Sequence, residues 1–284
     1  MTRISQLAFL IFVFVGIALP FKVSGQELLE AIKADDVQKV SDLLKKDPKL
    51  ANAKMDCMGA PILYSLLNKR FKAAVVIIEA GADPKVKDDR GENAFHYIAK
   101  AGILTSAEVE QILGLVKTLK GKGVPINEYS KFGETPLHTL VLTQVPDKNI
   151  PNSRLVLEAM IEAGADSRLE MTNEPRNPLI LKTINAMKMG GASMSSPFEL
   201  LKVLVGKGYD VNATNADKRT GLIMLLMATT VKEEKKIEVV KFLLEYNADV
   251  KAKSKKDETA LKLVDKKSPL YELLRNPPKQ DKKK

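Results

Sequence analysis

Gly133-Glu134-Thr135-Pro136-Leu137-His138 is the stretch whose reading decides the fold of this chain. Thr135 is a residue type that caps a helix start. Pro136 follows it, where a preset φ suits the first helical turn and the missing N–H would have had no partner anyway. The phrase recurs with variation as Ala60-Pro61-Ile62-Leu63, Asn93-Ala94-Phe95-His96, Asn177-Pro178-Leu179-Ile180, Thr220-Gly221-Leu222-Ile223 and Thr259-Ala260-Leu261-Lys262. About ten residues upstream of five of these copies lies a second phrase: Gly81-Ala82-Asp83-Pro84, Gly123-Val124-Pro125-Ile126-Asn127, Gly164-Ala165-Asp166-Ser167, Gly208-Tyr209-Asp210-Val211-Asn212 and Asn247-Ala248-Asp249-Val250-Lys251. Aliphatic residues at helical spacing precede each of these, as in Val75, Val76, Ile77 and Ile78. A glycine there, or Asn247 in the last copy, is suited to the left-handed conformation that closes a helix.

The second phrase repeats at intervals of 39 to 44 residues. A fixed period of that size predicts stacked copies of one small unit. Each unit reads as turn, short helix, loop, second helix and turn. The expected organisation is a leader at 1–25 and an array at 26–275. The array has an N-terminal cap at 27–54, five units at about 55–87, 88–129, 130–170, 171–214 and 215–253, and a C-terminal cap at 254–275. A basic tail at 276–284 follows. Terminal units differ from internal ones because their outer faces meet water.

Thr-Pro-Leu-His in register with Gly-Ala-Asp resembles the ankyrin repeat family, over nearly the whole chain after residue 26. The resemblance implies an all-α solenoid of helix-turn-helix units. It also implies a protein-binding role through the turn tips and the first helices, and histidines that bond backbone between neighbouring turns. The family's usual period is about 33 residues, so this chain is longer per unit. The extra residues read as loops between the two helices, at 101–104, 146–151, 189–195 and 227–229. Capping boxes are expected to start the helices after them, from Thr105 with Glu108, Ser196 with Glu199, and Thr230 with Glu233. The loops are either tolerated insertions or functional ones.

Residues 7–19 form an uncharged apolar run after Arg3, and Val23-Ser24-Gly25 offers small residues for cleavage. That is the pattern of a secretory signal peptide, with Gln26 as the mature N-terminus. The run is shorter than the roughly 20 residues a membrane span needs; an uncleaved hydrophobic N-terminus is the other reading. The expected destination is the periplasm or the exterior. Cys57 is the only cysteine, so an internal disulfide is excluded; it is either a small buried side chain or a free thiol. Packing must then hold the fold together.

The net charge is +10, yet most of it sits at the two ends. The leader holds Arg3 and Lys22, and residues 251–284 hold 12 basic and 5 acidic groups. The repeat body is therefore close to neutral, which argues against a nucleic-acid groove. The tail with Lys282, Lys283 and Lys284 reads as a solubilising end, or as a weak contact to anionic membrane. The second of these would make the protein an envelope-associated structural or protective factor.

Chemistry is sparse. His96 and His138 share one slot of the repeat and are expected to be structural. No cysteine or histidine cluster has metal spacing, no glycine-rich loop is placed for phosphate, and no nucleophile elbow occurs. Gly190-Gly191 lies in an inserted loop with no lysine after it. No cofactor and no enzymatic activity are expected. Met224 and Met227 read as core, and Met187, Met189 and Met194 as running into a loop. The expected partner-binding residues are those just ahead of the helix-start phrases: Asp89, Arg90, Glu92, Lys131, Phe132, Glu134, Asn173, Glu174, Arg176, Asp217 and Arg219. Asp56, Cys57, Lys255 and Lys256 hold the matching places at the ends. Mixed charges with one aromatic suit a protein partner. Phe132 either faces that partner or folds back on its neighbour. A capped array of this kind is expected to be a monomer.

Overall fold

The computed structural model describes residues 25–54, 59–143, 145–173, 178–189 and 195–278. Over these residues the chain is a row of antiparallel helix pairs. The first pair is α1 (Gly25–Lys33) and α2 (Val37–Lys46), and it forms the N-terminal cap with a 3-10 turn at Pro48–Asn52. The internal units pair α3 (Pro61–Leu67) with α4 (Phe71–Glu79), α5 (Ala94–Ala99) with α6 (Ser106–Gly121), α7 (Pro136–Leu142) with α8 (Ile150–Glu162), α9 (Leu179–Met189) with α10 (Ser195–Gly206), and α11 (Gly221–Leu226) with α12 (Glu233–Glu245). The C-terminal cap is a 3-10 turn, Ala260–Leu263, and α13 (Pro269–Arg275). There is no named strand among the described residues.

Two rows result. The first helices stack on one another from α1 through α3, α5, α7, α9 and α11, and the second helices stack from α2 through α4, α6, α8 and α10. Aliphatic stripes explain this. In α6, Val109, Ile112, Leu115, Val116 and Leu119 recur at helical spacing and are all buried. No unit can hide its stripe alone, so each covers the next.

The helix ends follow the sequence signals closely. Gly81, Gly123, Gly164 and Gly208 all have positive φ, and Asn247 takes the same conformation at φ 67°. Thr220 and Thr259 accept backbone N–H groups at the starts of α11 and the last 3-10 turn. Thr105 and Glu108 form a reciprocal capping box on α6.

Helix α10 begins at Ser195, so Ser196 is its second residue, and Glu199 pairs with Lys202 at 2.7 Å. The box expected from Thr230 with Glu233 does not form. Helix α12 begins at Glu233 behind Lys232, which makes no side-chain cap. Thr230 Oγ1 donates to the Lys188 carbonyl at 2.8 Å, and Glu233 accepts from Ser268. Both residues tie units together rather than starting a helix.

The inserted residues do lie between first and second helices, but Ile150 and Pro151 belong to the first turn of α8, so that loop ends at Asn149. Much of the longer period is helix rather than loop, since α6 alone runs for 16 residues. Among the methionines, Met187 is core and Met227 is exposed, the reverse of the sequence reading, while Met224 is buried as expected. Helix α9 continues to Met189, so Met187 never reaches the loop.

Asparagines join the closing turns of successive units. Asn52 Nδ2 donates to the Gly81 carbonyl at 2.9 Å, and its Oδ1 accepts from Asp83 N–H at 2.7 Å. Asn127 does the same for Gly164 and Asp166, and Asn212 for Asn247 and Asp249. The equivalent places in the alternate units hold Lys85, Arg168 and Lys251. Arg168 folds back on Asp166 at 2.9 Å. Beside it an open groove of ≈ 720 Å³ separates the Gly164 and Gly208 turns.

Candidate functional site

Ahead of the helix-start phrases at Asn93, Thr135, Thr220 and Thr259 the chain makes a tight hairpin. One residue organises it. Asp88 Oδ1 accepts the N–H groups of Arg90 and Glu92 at 2.9 and 2.8 Å. Ser130 Oγ accepts from Phe132 and Glu134, Asn215 Oδ1 from Asp217 and Arg219, and Ser254 Oγ from Lys256 and Glu258. Short polar side chains of this kind bond their own backbone and define turns. The hairpin then requires positive φ at its fourth residue, which is Gly91, Gly133, Lys218 or Asp257.

Consecutive tips are stitched by backbone. Lys131 N–H donates to the Arg90 carbonyl at 2.8 Å, Thr172 N–H to Gly133 at 3.0 Å, and Lys255 N–H to Asp217 at 2.8 Å. The tips at 88–92, 130–134 and 172–173 are joined in this way, as are those at 215–219 and 254–258, and they form a row along one edge of the array. Its position is fixed by the helices beneath.

The sequence-predicted residues divide into two groups. Asp89, Arg90, Lys131, Asn173 and Asp217 are exposed on the row, as are Lys255 and Lys256. Phe132 is 53% exposed and does not fold back on its neighbour. Glu134 is half-buried beneath it.

Glu92 and Arg219 are placed elsewhere than expected. Glu92 is 3% exposed, with both carboxylate oxygens taken by Lys100 from the end of α5. It holds the hairpin to its helix. Arg219 donates to both oxygens of Glu258 at 2.8 and 3.1 Å and to Asp217 at 3.3 Å, which joins the last two tips. The Arg219 bonds, with help from Ser254, hold the Glu258 carboxyl below its ordinary pKa. Glu174 and Arg176 lie outside the described residues, as do Asp56, Cys57, Gly190-Gly191, Met194, residues 1–24 and Lys282, Lys283 and Lys284.

The histidines sit under the row. His96 is fully buried; its Nδ1 lies 3.3 Å from the Asn93 N–H, and its Nε2 lies 3.1 Å from the Glu134 carbonyl of the next unit. Nε2 is therefore the donor, and Nδ1 also lies 3.0 Å from Asn93 Oδ1. Burial lowers its pKa, against the pull of the Glu134 carbonyl. His138 repeats the local half of this pattern, with Thr135 N–H on Nδ1 at 3.2 Å. Nearby, Tyr97 donates to Asp88 Oδ2 at 3.0 Å; burial first, then that carboxylate, push the phenol pKa up.

The organising residues Asp88, Ser130, Asn215 and Ser254 were missed by sequence reasoning, as were the joining asparagines. A signal existed: each organiser stands five positions before its cap, Asn93, Thr135, Thr220 or Thr259. Among the described residues no group of three His, Cys, Asp or Glu could hold a metal ion. No described helix is long and apolar enough to cross a membrane.

Comparison with known proteins places this geometry. No protein-family model matches the sequence, and no curated protein matches it either. Solved structures do. The ankyrin repeat domain of Bcl-3, described as a unique member of the IkappaB protein family, superposes with a TM-score of 0.67 at 15% identity, covering 88% of this chain and 98% of that one. The human ASB11 ankyrin repeat domain gives 0.61 at 17% identity, covering 89% and 99%. The fold is thus the ankyrin-repeat solenoid.

Proposed function

We propose that this protein is an exported, non-enzymatic interaction module that takes a protein partner on the row of hairpin tips. The observation that carries the reading is Phe132. An aromatic ring 53% exposed at a tip adds nothing to the core, and it is flanked by the exposed cations Arg90 and Lys131. Aromatic and arginine side chains are the residue types that dominate binding energy at protein interfaces. The row is preorganised by side-chain and backbone bonds, so little ordering entropy opposes binding. Export rests on the leader-like sequence of residues 1–25.

Crosslinking in the native compartment, followed by partner identification, tests the reading. Phe132→Ala is expected to keep the fold and cut capture of the crosslinked partner. Equal capture by the variant removes the tip row from consideration. Mass spectrometry of the mature chain is expected to find Gln26 at its N-terminus; an intact Met1 overturns the export half.

A further inference from the structure

Four of the closing turns are built alike. In each, the second residue donates its N–H back to the helix just ended: Ala82 to Ile77, Ala165 to Met160, Tyr209 to Leu204 and Ala248 to Leu243. The aspartate that follows accepts the N–H two residues on, at 2.9 Å for Asp83, 3.0 Å for Asp166, 2.9 Å for Asp210 and 2.8 Å for Asp249. Each turn therefore presents the carbonyl of its first residue and the N–H of its aspartate in the same arrangement. In three of the four, a carboxamide from the unit before fills that slot. Asn52, Asn127 and Asn212 donate to the carbonyl at 2.9, 3.0 and 2.9 Å and accept the aspartate N–H at 2.7 Å every time. The Gly208 turn is the exception. Its carbonyl and the Asp210 N–H have no hydrogen-bond partner among the described residues. Arg168 stands at the joining place, and its Nε and Nη2 are held by the two oxygens of Asp166 at 2.9 and 3.0 Å. A guanidinium turned into the slot would donate to the carbonyl but has no acceptor for the N–H. The Gly123 turn has no such slot, because Pro125 stands where the N–H would be.

We infer that the groove between the Gly164 and Gly208 turns binds an asparagine side chain of a protein partner, whose carboxamide enters the empty slot. Its NH2 donates to the Gly208 carbonyl and its oxygen accepts the Asp210 N–H, the arrangement the chain uses on itself three times. A carboxylate in that place sets its second oxygen against the Gly208 carbonyl, and an ammonium offers nothing to the N–H. A carboxamide carries one donor and one acceptor on a single carbon, as the slot requires. The groove of ≈ 720 Å³ is far larger than that group alone, so the partner's chain on either side of the asparagine has room beside the half-buried Tyr209 and the exposed Lys207. The slot is preorganised by the turn's own bonds, which lowers the ordering cost of filling it. This site is separate from the hairpin tips and does not depend on their role.

NMR titration of the isotope-labelled whole chain tests this, with N-acetyl-asparagine methylamide as the probe. The controls are its aspartate and leucine counterparts, which share its backbone amides, and acetamide. The asparagine probe is expected to shift the Asp210 amide resonance saturably at about millimolar concentration, and more strongly than any control. Arg168→Asn supplies the missing carboxamide from within the chain. It is expected to raise the urea midpoint by about 0.3 M and to abolish the shift, while Arg168→Ala keeps it. No saturable shift, an equal shift from the aspartate or leucine counterpart, or an Arg168→Asn variant that gains no stability or still responds to the probe overturns the inference. Acetamide binding as tightly as the asparagine probe would leave a slot for any small amide and overturn the protein partner.

Discussion

Asn127 holds Asp166 in place across a unit boundary. Its Oδ1 accepts the Asp166 backbone N–H at 2.7 Å while its Nδ2 donates to the Gly164 carbonyl at 3.0 Å. Asn127→Ala removes both partners at once and should lower stability by about 1–2 kcal/mol. Arg168→Ala, at the corresponding place one unit on, should stay within about 0.5 kcal/mol, since its only ion pair is local and its side chain is 82% exposed. Urea unfolding midpoints of the two variants check the contrast.

Gly133 combines positive φ with a crowded approach. A Cβ there would lie 2.2 Å from Thr172 Oγ1 and 3.0 Å from the Asn173 nitrogen. Gly133→Ala should therefore cost about 2–3 kcal/mol, from strain plus displacement of the next tip. Gly123→Ala has the same φ problem but meets only the flexible Lys85 side chain. It should cost about 1 kcal/mol. Equal losses would mean that the tips are not in contact.

Lys100 neutralises a carboxylate that has nowhere else to go. Lys100→Met leaves Glu92 buried without its cation and should cost about 1–3 kcal/mol, below the range for fully buried pairs because Lys100 is 36% exposed. Pairing it with Glu92→Gln should recover most of that loss. A double mutant no better than Lys100→Met alone would contradict the pairing.

His96 predicts a pH response with a definite sign. Its folded pKa lies below the ordinary value of 6.5. The unfolded chain therefore takes up a proton first as pH falls. Stability is full above about pH 6.5 and declines below it, down to the folded pKa. His96→Gln should flatten that decline below about pH 6.5 while lowering stability at neutral pH. An unchanged pH profile in the variant would show that His96 charges equally in both states.

The two phrases that recur in the sequence located nearly every helix end, because glycine and N-cap chemistry are local and each leaves its mark on one or two residues. Thr105 with Glu108 formed its expected box for that reason. Thr230 with Glu233 did not, because both side chains found partners from other units, Lys188 and Ser268, which sequence spacing cannot reveal. The tip residues were legible as a group. Glu92 and Glu134 occupy the same slot of the repeat, yet Glu92 is fully buried and Glu134 only half so. What separates them includes Lys100, eight residues beyond Glu92, whose reach depends on where the short helix α5 stops.

The asparagine joints occur at every second boundary. The first cap with unit one, units two and three, and units four and five each form a clasped couple, and the boundaries between couples lack this clasp. Heated or pulled from its ends, the array should part at those boundaries and shed two units at a time, and amide exchange should be faster beside Arg168 than beside Asn127.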